Sequence, residues 1–282
     1  MRVAGLFFFL FILHTVSAQV KNELSFIRHL VNKGFYQEAI FLIDKNTFNY
    51  QNQQQDSLNY YHGWAHYSLK NLTQSTASFL RVQKKSPFYS KSHFFAGYNQ
   101  IHLANYAEAE KIFNQMDIRN EPNSSLLNFE LSGMDMLQGN WQQGKNRLQK
   151  VNRENAVLNQ QVIALEKIYG EHETHRQKSP VLAGIISGII PGSGKIYAGK
   201  TGSGIASFIG TVGFGFITWE NYRKLGMKHP KTIIFGSIFA FNYVSNIYGS
   251  VISVKIIENE YKNAVHNQIL FQLHVPLRNF FE

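Results

Sequence analysis

Gly194-Lys195-Ile196-Tyr197-Ala198-Gly199-Lys200-Thr201 fits the pattern G-x-x-x-x-G-K-[ST]. In that pattern, backbone amides and a lysine cradle nucleotide phosphates and the last hydroxyl holds magnesium. The chemistry needs a strand before the loop, a soluble helix after it and a downstream acid for the metal. Here the loop runs into an uncharged stretch from Ser203 to Trp219, and no strand–helix alternation surrounds it. Nucleotide binding is therefore not expected. His172 and His175, with Glu173 between them, could start a metal site. They lack a third ligand and lie in a polar run closed by Pro180, which reads as a solvated linker over 171–180. Zero cysteines exclude disulfides, thiol catalysis and thiolate metal sites. No nucleophile–base pair or two-carboxylate site stands out. The chain reads as no enzyme, with no metal and no cofactor.

The remaining polar groups of interest sit inside apolar sequence. Asn242, Asn246 and Ser250 form one stripe of the uncharged run Thr232–Val254. Ser203, Ser207, Thr211 and Gly215 recur at i, i+4, i+8 and i+12 in the run before it, beside Gly202, Ala206 and Gly210. Small faces let helices approach where no hydrophobic effect drives association, and an unpaired amide in hydrocarbon costs several kcal/mol. Two readings follow: hydrogen bonds between helices, or a polar pathway. At about 1.5 Å per residue, Thr232–Val254 is long enough to cross a bilayer core of about 30 Å, and the run from Ser203 to Trp219 just crosses it together with its flanks. Val181–Ile190 is apolar but too short alone. It either turns back at Pro191-Gly192-Ser193-Gly194, or continues as a longer span to about 198 with Lys195 reaching the headgroups. Arg223, Lys224, Lys228 and Lys231 against Glu220 make the loop 220–231 cytoplasmic by the positive-inside rule.

Upstream, the chain is polar and patterned. Arg2, the apolar run Leu6–Leu13 and the small residues before Gln19 form a secretory signal peptide over 1–18. The bulky residues Tyr36, Leu72, Tyr106 and Trp141 stand 36, 34 and 35 residues apart. Each is followed three residues on by a small one (Ala39, Ser75, Ala109, Gly144) and four further by an apolar one (Ile43, Phe79, Phe113, Leu148). Gly63 and Gly97 precede the second and third by nine, with Ser132 in that place for the fourth. A period near 34 with these offsets indicates stacked helix–turn–helix units, none of which can bury its apolar face alone. The pattern resembles tetratricopeptide repeats, about three and a half of them within 19–170. That resemblance implies a concave groove for peptides, lined here by Tyr60, Trp64, Tyr67, Phe94 and Tyr98. Those rings suit a binding surface or a core.

The stretch from Ser179-Pro180 through Pro191-Gly192-Ser193-Gly194, Tyr197 and Gly199-Lys200 to Asn246-Ile247-Tyr248-Gly249-Ser250 is similar to the small two-transmembrane-helix domain family. It resembles still more a Bacteroidota-type membrane domain of unknown function that follows helical repeats. The resemblance implies a membrane protein and assigns no reaction. After 254 the sequence predicts a polar helix. Ile269, Phe271, Leu273 and Val275 then alternate as a short strand.

The expectation is thus an all-α chain: a helical-repeat solenoid followed by a C-terminal transmembrane module over 181–254. It would be a scaffold in a bacterial envelope membrane, the inner one, with the repeats in the periplasm. Its partners would be a protein or peptide and membrane lipid. The net charge of +10 does not point to nucleic acid, because the basic residues are dispersed. The alternative is a membrane module with a transport or insertion role, for which the repeats recruit partners.

Overall fold

The computed structural model describes residues 23–45, 52–116, 118 and 121–281. The signal-peptide expectation lies outside them. Among the described residues the chain is helical, with no strand. It divides into two units: the described residues up to Tyr169 together with those from Ile269 on, and Gly170–Gln268.

The first unit begins with α1 (23–33), α2 (Tyr36–Lys45), α3 (Asn52–Ser68) and α4 (Leu72–Phe79). It continues with α5 (Tyr89–His102), α6 (Tyr106–Gln115), α7 (Asn123–Leu137), α8 (Trp141–Leu148) and the first part of α9 (Ala156–Thr174). Consecutive helices pack on each other: α3 on α4, α4 on α5, α5 on α6, α7 on α8. The bulky periodic residues open α2, α4, α6 and α8.

Each of these helices is preceded by the same turn. Gly34, Lys70, Ala104 and Gly139 are left-handed, with φ of 84°, 62°, 59° and 85°. The next amide donates back to the carbonyl five residues earlier: Phe35 to Leu30 (2.9 Å), Asn71 to His66 (2.9 Å), Asn105 to Gln100 (2.8 Å) and Asn140 to Asp135 (2.8 Å). This is the Schellman ending, which satisfies the last carbonyls of a helix and reverses the chain. Two of the four positions carry a side chain despite the cost of the left-handed region, about 1–2 kcal/mol. The turn is therefore imposed by the packing of the flanking helices and not by glycine alone.

Small residues close the hairpins. A methyl group on Gly63 would fall 2.5 Å from the Phe79 ring, and one on Gly97 2.3 Å from that of Phe113. Ser75 donates to Gly63 O, and Ser132 to Gly144 O, both at 2.8 Å. Phe79, Phe94, Phe95, Phe113 and Phe129 are fully buried and form the core.

Residues 269–280 are the end of α13 (Pro230–Phe280), a correction to the short strand. The same apolar residues fit both periods. Ile269, Leu273 and Leu277 recur every four and are buried, whereas Phe271 is left 61% exposed. A lone strand would leave its backbone groups unpaired, and the helix pairs them internally while laying one face on the first unit.

The second unit contains the end of α9, α10 (Pro180–Ile189), α11 (Ser193–Ala198), α12 (Thr201–Leu225) and most of α13. α12 is long and apolar enough to cross a membrane. Ser179 caps α10 by accepting from Leu182 N (3.2 Å), and Pro180 occupies its first turn. The expected linker is in part helix, since α9 runs to Thr174. The rest is pinned, not free: Glu258, 6% exposed, accepts from Lys178 N (3.0 Å) and pairs with His175 Nε2 (2.9 Å). The His175 ring also stacks on Tyr261. His175 is thus engaged by a carboxylate, and the described residues contain no group of three potential metal ligands. The segment before Gly194 is a helix, so the strand that a phosphate loop requires is missing there.

Candidate functional site

In the first unit, the five aromatic positions read as groove residues cluster around the C-terminal stretch of the same chain. Tyr67 OH is hydrogen-bonded to His274 Nδ1, and Tyr98 OH donates to Leu270 O (3.3 Å). Phe94 packs on Phe281 with ring centres 5.7 Å apart. Lys91 Nζ donates to Phe281 O (3.2 Å) and lies over the rings of Tyr60 and Trp64. Tyr60 stacks on Phe88, and Trp64 meets Phe95 edge-on. Tyr60, Phe94 and Tyr98 are buried, while Trp64 and Tyr67 remain partly open. The surface named from the repeat spacing therefore exists as a cluster, but an internal helix already covers much of it. The sequence reads 269–275 as a strand that docks on the repeat domain or meets a partner at its edge; the segment seated here is a helix instead.

Beside that helix a cavity of about 860 Å³ stays open, lined among others by Tyr36, Trp64, Tyr67, Lys70, His102, His274 and Arg278. Its basic and aromatic wall can stack rings and bind anionic groups. Burial, then the nearby Arg278 and His102 charges, hold the His274 imidazole below its usual range. Burial also pushes the Tyr67 and Tyr98 phenols up, so both stay protonated and act as hydrogen-bond donors or acceptors, not as bases.

Glu130 on α7 is fully buried, and neither of its carboxylate oxygens has a partner. Burial raises its pKa well above the ordinary 4.5, so the fold holds it protonated. A carboxyl with a raised folded pKa stabilises the native state only where the unfolded chain also keeps the proton. Stability should thus fall as pH climbs from about 4.5 toward the raised value. Glu130→Met fills the space with an apolar chain. It should gain about 1–3 kcal/mol at pH 8, the usual cost of an unpaired buried polar group. The gain should shrink toward pH 4.5. Thermal melts of the full chain at the two pH values check this; equal gains at both would refute it.

In the second unit, the residues singled out in sequence divide by role. Pro191 leads into the turn, Gly192 is left-handed (φ 87°), and Gly199 ends α11 in the same way (φ 97°). Tyr197 OH accepts from Ser179 N (3.1 Å), and its ring packs on the buried trio Ala183, Ala198 and Val254. A buried relay links three helices. Gly194 N donates to Ser187 Oγ (2.8 Å), and Ser187 and Ser250 share a hydroxyl bond (2.7 Å). Ser250 Oγ in turn donates to Asn246 O (2.8 Å), so the proton between the two serines comes from Ser187.

The two asparagines behave differently from that relay. Asn242 Nδ2 donates to Ile238 O of its own helix (2.9 Å). Asn246 is 3% exposed, and neither its amide nitrogen nor its amide oxygen has a partner. It lines a cavity of about 310 Å³ together with Lys195, Ser203, Ser207, Thr211, Asn242 and Ser245. Lys195 Nζ donates to Ser207 Oγ at 2.6 Å. Asn242 and Asn246 thus share a polar hollow with Ser203, Ser207 and Thr211 without bonding to them, whereas Ser250, on the same stripe, makes a direct interhelical bond to Ser187. A side chain on Gly202 or Gly210 would meet nothing within 4 Å, so neither makes the close helix contact expected of it, although Gly210 lines the hollow.

No protein-family model matches this chain, nor does any curated protein or solved structure.

Proposed function

We propose that this chain is a membrane-anchored helical-repeat scaffold of a bacterial cell envelope that binds a protein or peptide and catalyses no reaction. On this reading 19–170 is a tetratricopeptide-like solenoid, and 181–254 is the anchor in the inner membrane with the repeats in the periplasm. One observation carries the partner reading: the aromatic surface around Tyr67, Phe94 and Tyr98 seats an amphipathic helix, here the chain's own residues 269–280. A surface complementary to one helix, with a cavity left beside it, suits a second segment of the same kind. The four identical helix endings at 34, 70, 104 and 139 support the repeat reading. The anchor reading is supported by large apolar side chains facing outward on α10, α12 and α13, such as Ile189, Phe216 and Phe241, while Ser187, Thr211, Asn246 and Ser250 are buried. That inverted arrangement suits lipid as solvent.

Photocrosslinking in native membranes tests the scaffold reading, with a photoreactive residue at Trp64 or Tyr98 of the full chain. The expected result is one recurring second polypeptide in the adducts. Adducts that join only to 269–281 would overturn it. The polar hollow at Asn246 favours one further reading, a transport or insertion role for the membrane module. Asn242→Leu with Asn246→Leu separates the two: a scaffold keeps its crosslinked partner, and a pathway loses its activity.

A further inference from the structure

We infer that the hollow between α11, α12 and α13 is a binding site for a phosphate group that carries, or lies beside, a hydroxyl. The inference stands on the second unit alone and does not depend on the partner reading.

Three observations converge on it. First, the wall supplies one ammonium, that of Lys195, and no carboxylate. Among the described residues Lys195 forms no ion pair, and its bond to Ser207 uses only one of its three protons. Gly249 makes room for its stem, since a methyl group there would stand 3.3 Å from Lys195 Cε and 3.6 Å from Nζ. Second, the remaining wall is rich in donors: the hydroxyls of Ser203, Ser207, Thr211 and Ser245. One cation and several neutral donors suit a singly charged oxyanion. Third, Asn246 is almost wholly buried with both ends of its amide unsatisfied. A buried amide left this way is costly, and native structures rarely leave one without a purpose or a guest. Its nitrogen needs an acceptor and its oxygen needs a donor. An anionic oxygen and a hydroxyl on one ligand supply both. A glycerophosphate headgroup of a lipid has this chemistry, and so does free dihydrogen phosphate. The volume of about 310 Å³ admits either.

The test uses the full chain in a neutral detergent and phosphate-free buffer, titrated by calorimetry with two probes. One is inorganic phosphate and the other is short-chain phosphatidylglycerol, with short-chain phosphatidylcholine as the comparison lacking the hydroxyl. The expected result is saturable binding of at least one of the first two, weakened ten-fold or more by Lys195→Met and by Asn246→Asp. The latter keeps the shape and places a negative charge against the anion. Arg223→Gln, in the exposed end of α12, should bind like the parent. Binding of phosphatidylglycerol alone assigns the site to lipid; binding of phosphate, with competition between the two probes, assigns it to the free anion. Lys195 lies at the partly exposed edge of the hollow, so Lys195→Met decides the matter if Asn246→Asp does not fold. No saturable binding of either probe would overturn the inference. So would parental affinity in a folded Lys195→Met chain.

Discussion

Gly194→Ala will unfold or loosen the second unit, whereas Gly202→Ala, only eight residues on, will leave it intact. A methyl group at Gly194 would lie 2.1 Å from Ala183 O, 2.6 Å from Ser187 Oγ and 2.7 Å from Ser250 Cβ. The carbonyl belongs to the α10 backbone and cannot swing away without breaking that helix. The two serines are the members of the buried relay, so the clash also pulls apart Gly194 N, Ser187 and Ser250. Overpacking alone costs about 1–3 kcal/mol, and each hydrogen bond lost in a buried site adds about 1 kcal/mol or more. Gly192→Ala should be at least as severe. Its φ of 87° is strained for any residue with a side chain, and the added carbon would fall 2.0 Å from Gly204 O. At Gly202 nothing lies within 4 Å, and alanine there should be neutral or gain about 0.5–1 kcal/mol as a better helix former. Thermal stability of the detergent-purified full chain, read by size-exclusion after heating, ranks the three. Equal midpoints for Gly194→Ala and Gly202→Ala would contradict the close approach described for α10 and α11.

Leu273→Asp should release the C-terminal helix from the first unit. Leu273 is fully buried, and its methyls sit where a side chain on Gly133 would otherwise be: a carbon built there meets them at 2.5 and 2.8 Å. Removing a buried leucine costs about 2–5 kcal/mol, and a carboxylate in its place adds the penalty of a desolvated charge. That exceeds what the three hydrogen bonds to this segment, Tyr67 OH with His274 Nδ1, Tyr98 OH to Leu270 O and Lys91 Nζ to Phe281 O, can hold at about 1 kcal/mol each. Residues after about 268 should then be trimmed by limited proteolysis while α3–α8 resist. Gly133→Leu attacks the same contact from the other side and should give the same fragment. Parental resistance in both variants would show that 269–281 is not held by this contact. If the groove also serves a partner, Leu273→Asp should raise the crosslinking yield at Trp64, because the internal helix no longer competes.

The sequence alone determined where four of the helices begin and where the composition of the chain changes. The spacing of Tyr36, Leu72, Tyr106 and Trp141 located four helix starts, because a bulky residue closing a hairpin must recur once per unit. The left-handed residue two positions before each was not legible in it, because Lys70 and Ala104 give no glycine to signal the turn and the packing of the flanking helices imposes it. The division into a polar front and an apolar back was plain, as was the turn at Pro191–Gly194. These are local or periodic properties, and neighbours in the chain carry them.

Only the tertiary structure decided the partners of residues far apart. A short apolar run fits a strand or a helix equally well. The helical choice at 269–280 rests on Gly133 and Tyr98, more than a hundred residues away. His175 read as a loose linker residue until Glu258 and Tyr261 stood beside it. Asn242 and Asn246 share a stripe and a residue type, yet one donates its amide nitrogen within its own helix and the other is buried without a partner beside a hollow that Lys195 also lines. Spacing places a side chain on a face; what fills the space opposite that face is set by elements the spacing does not see.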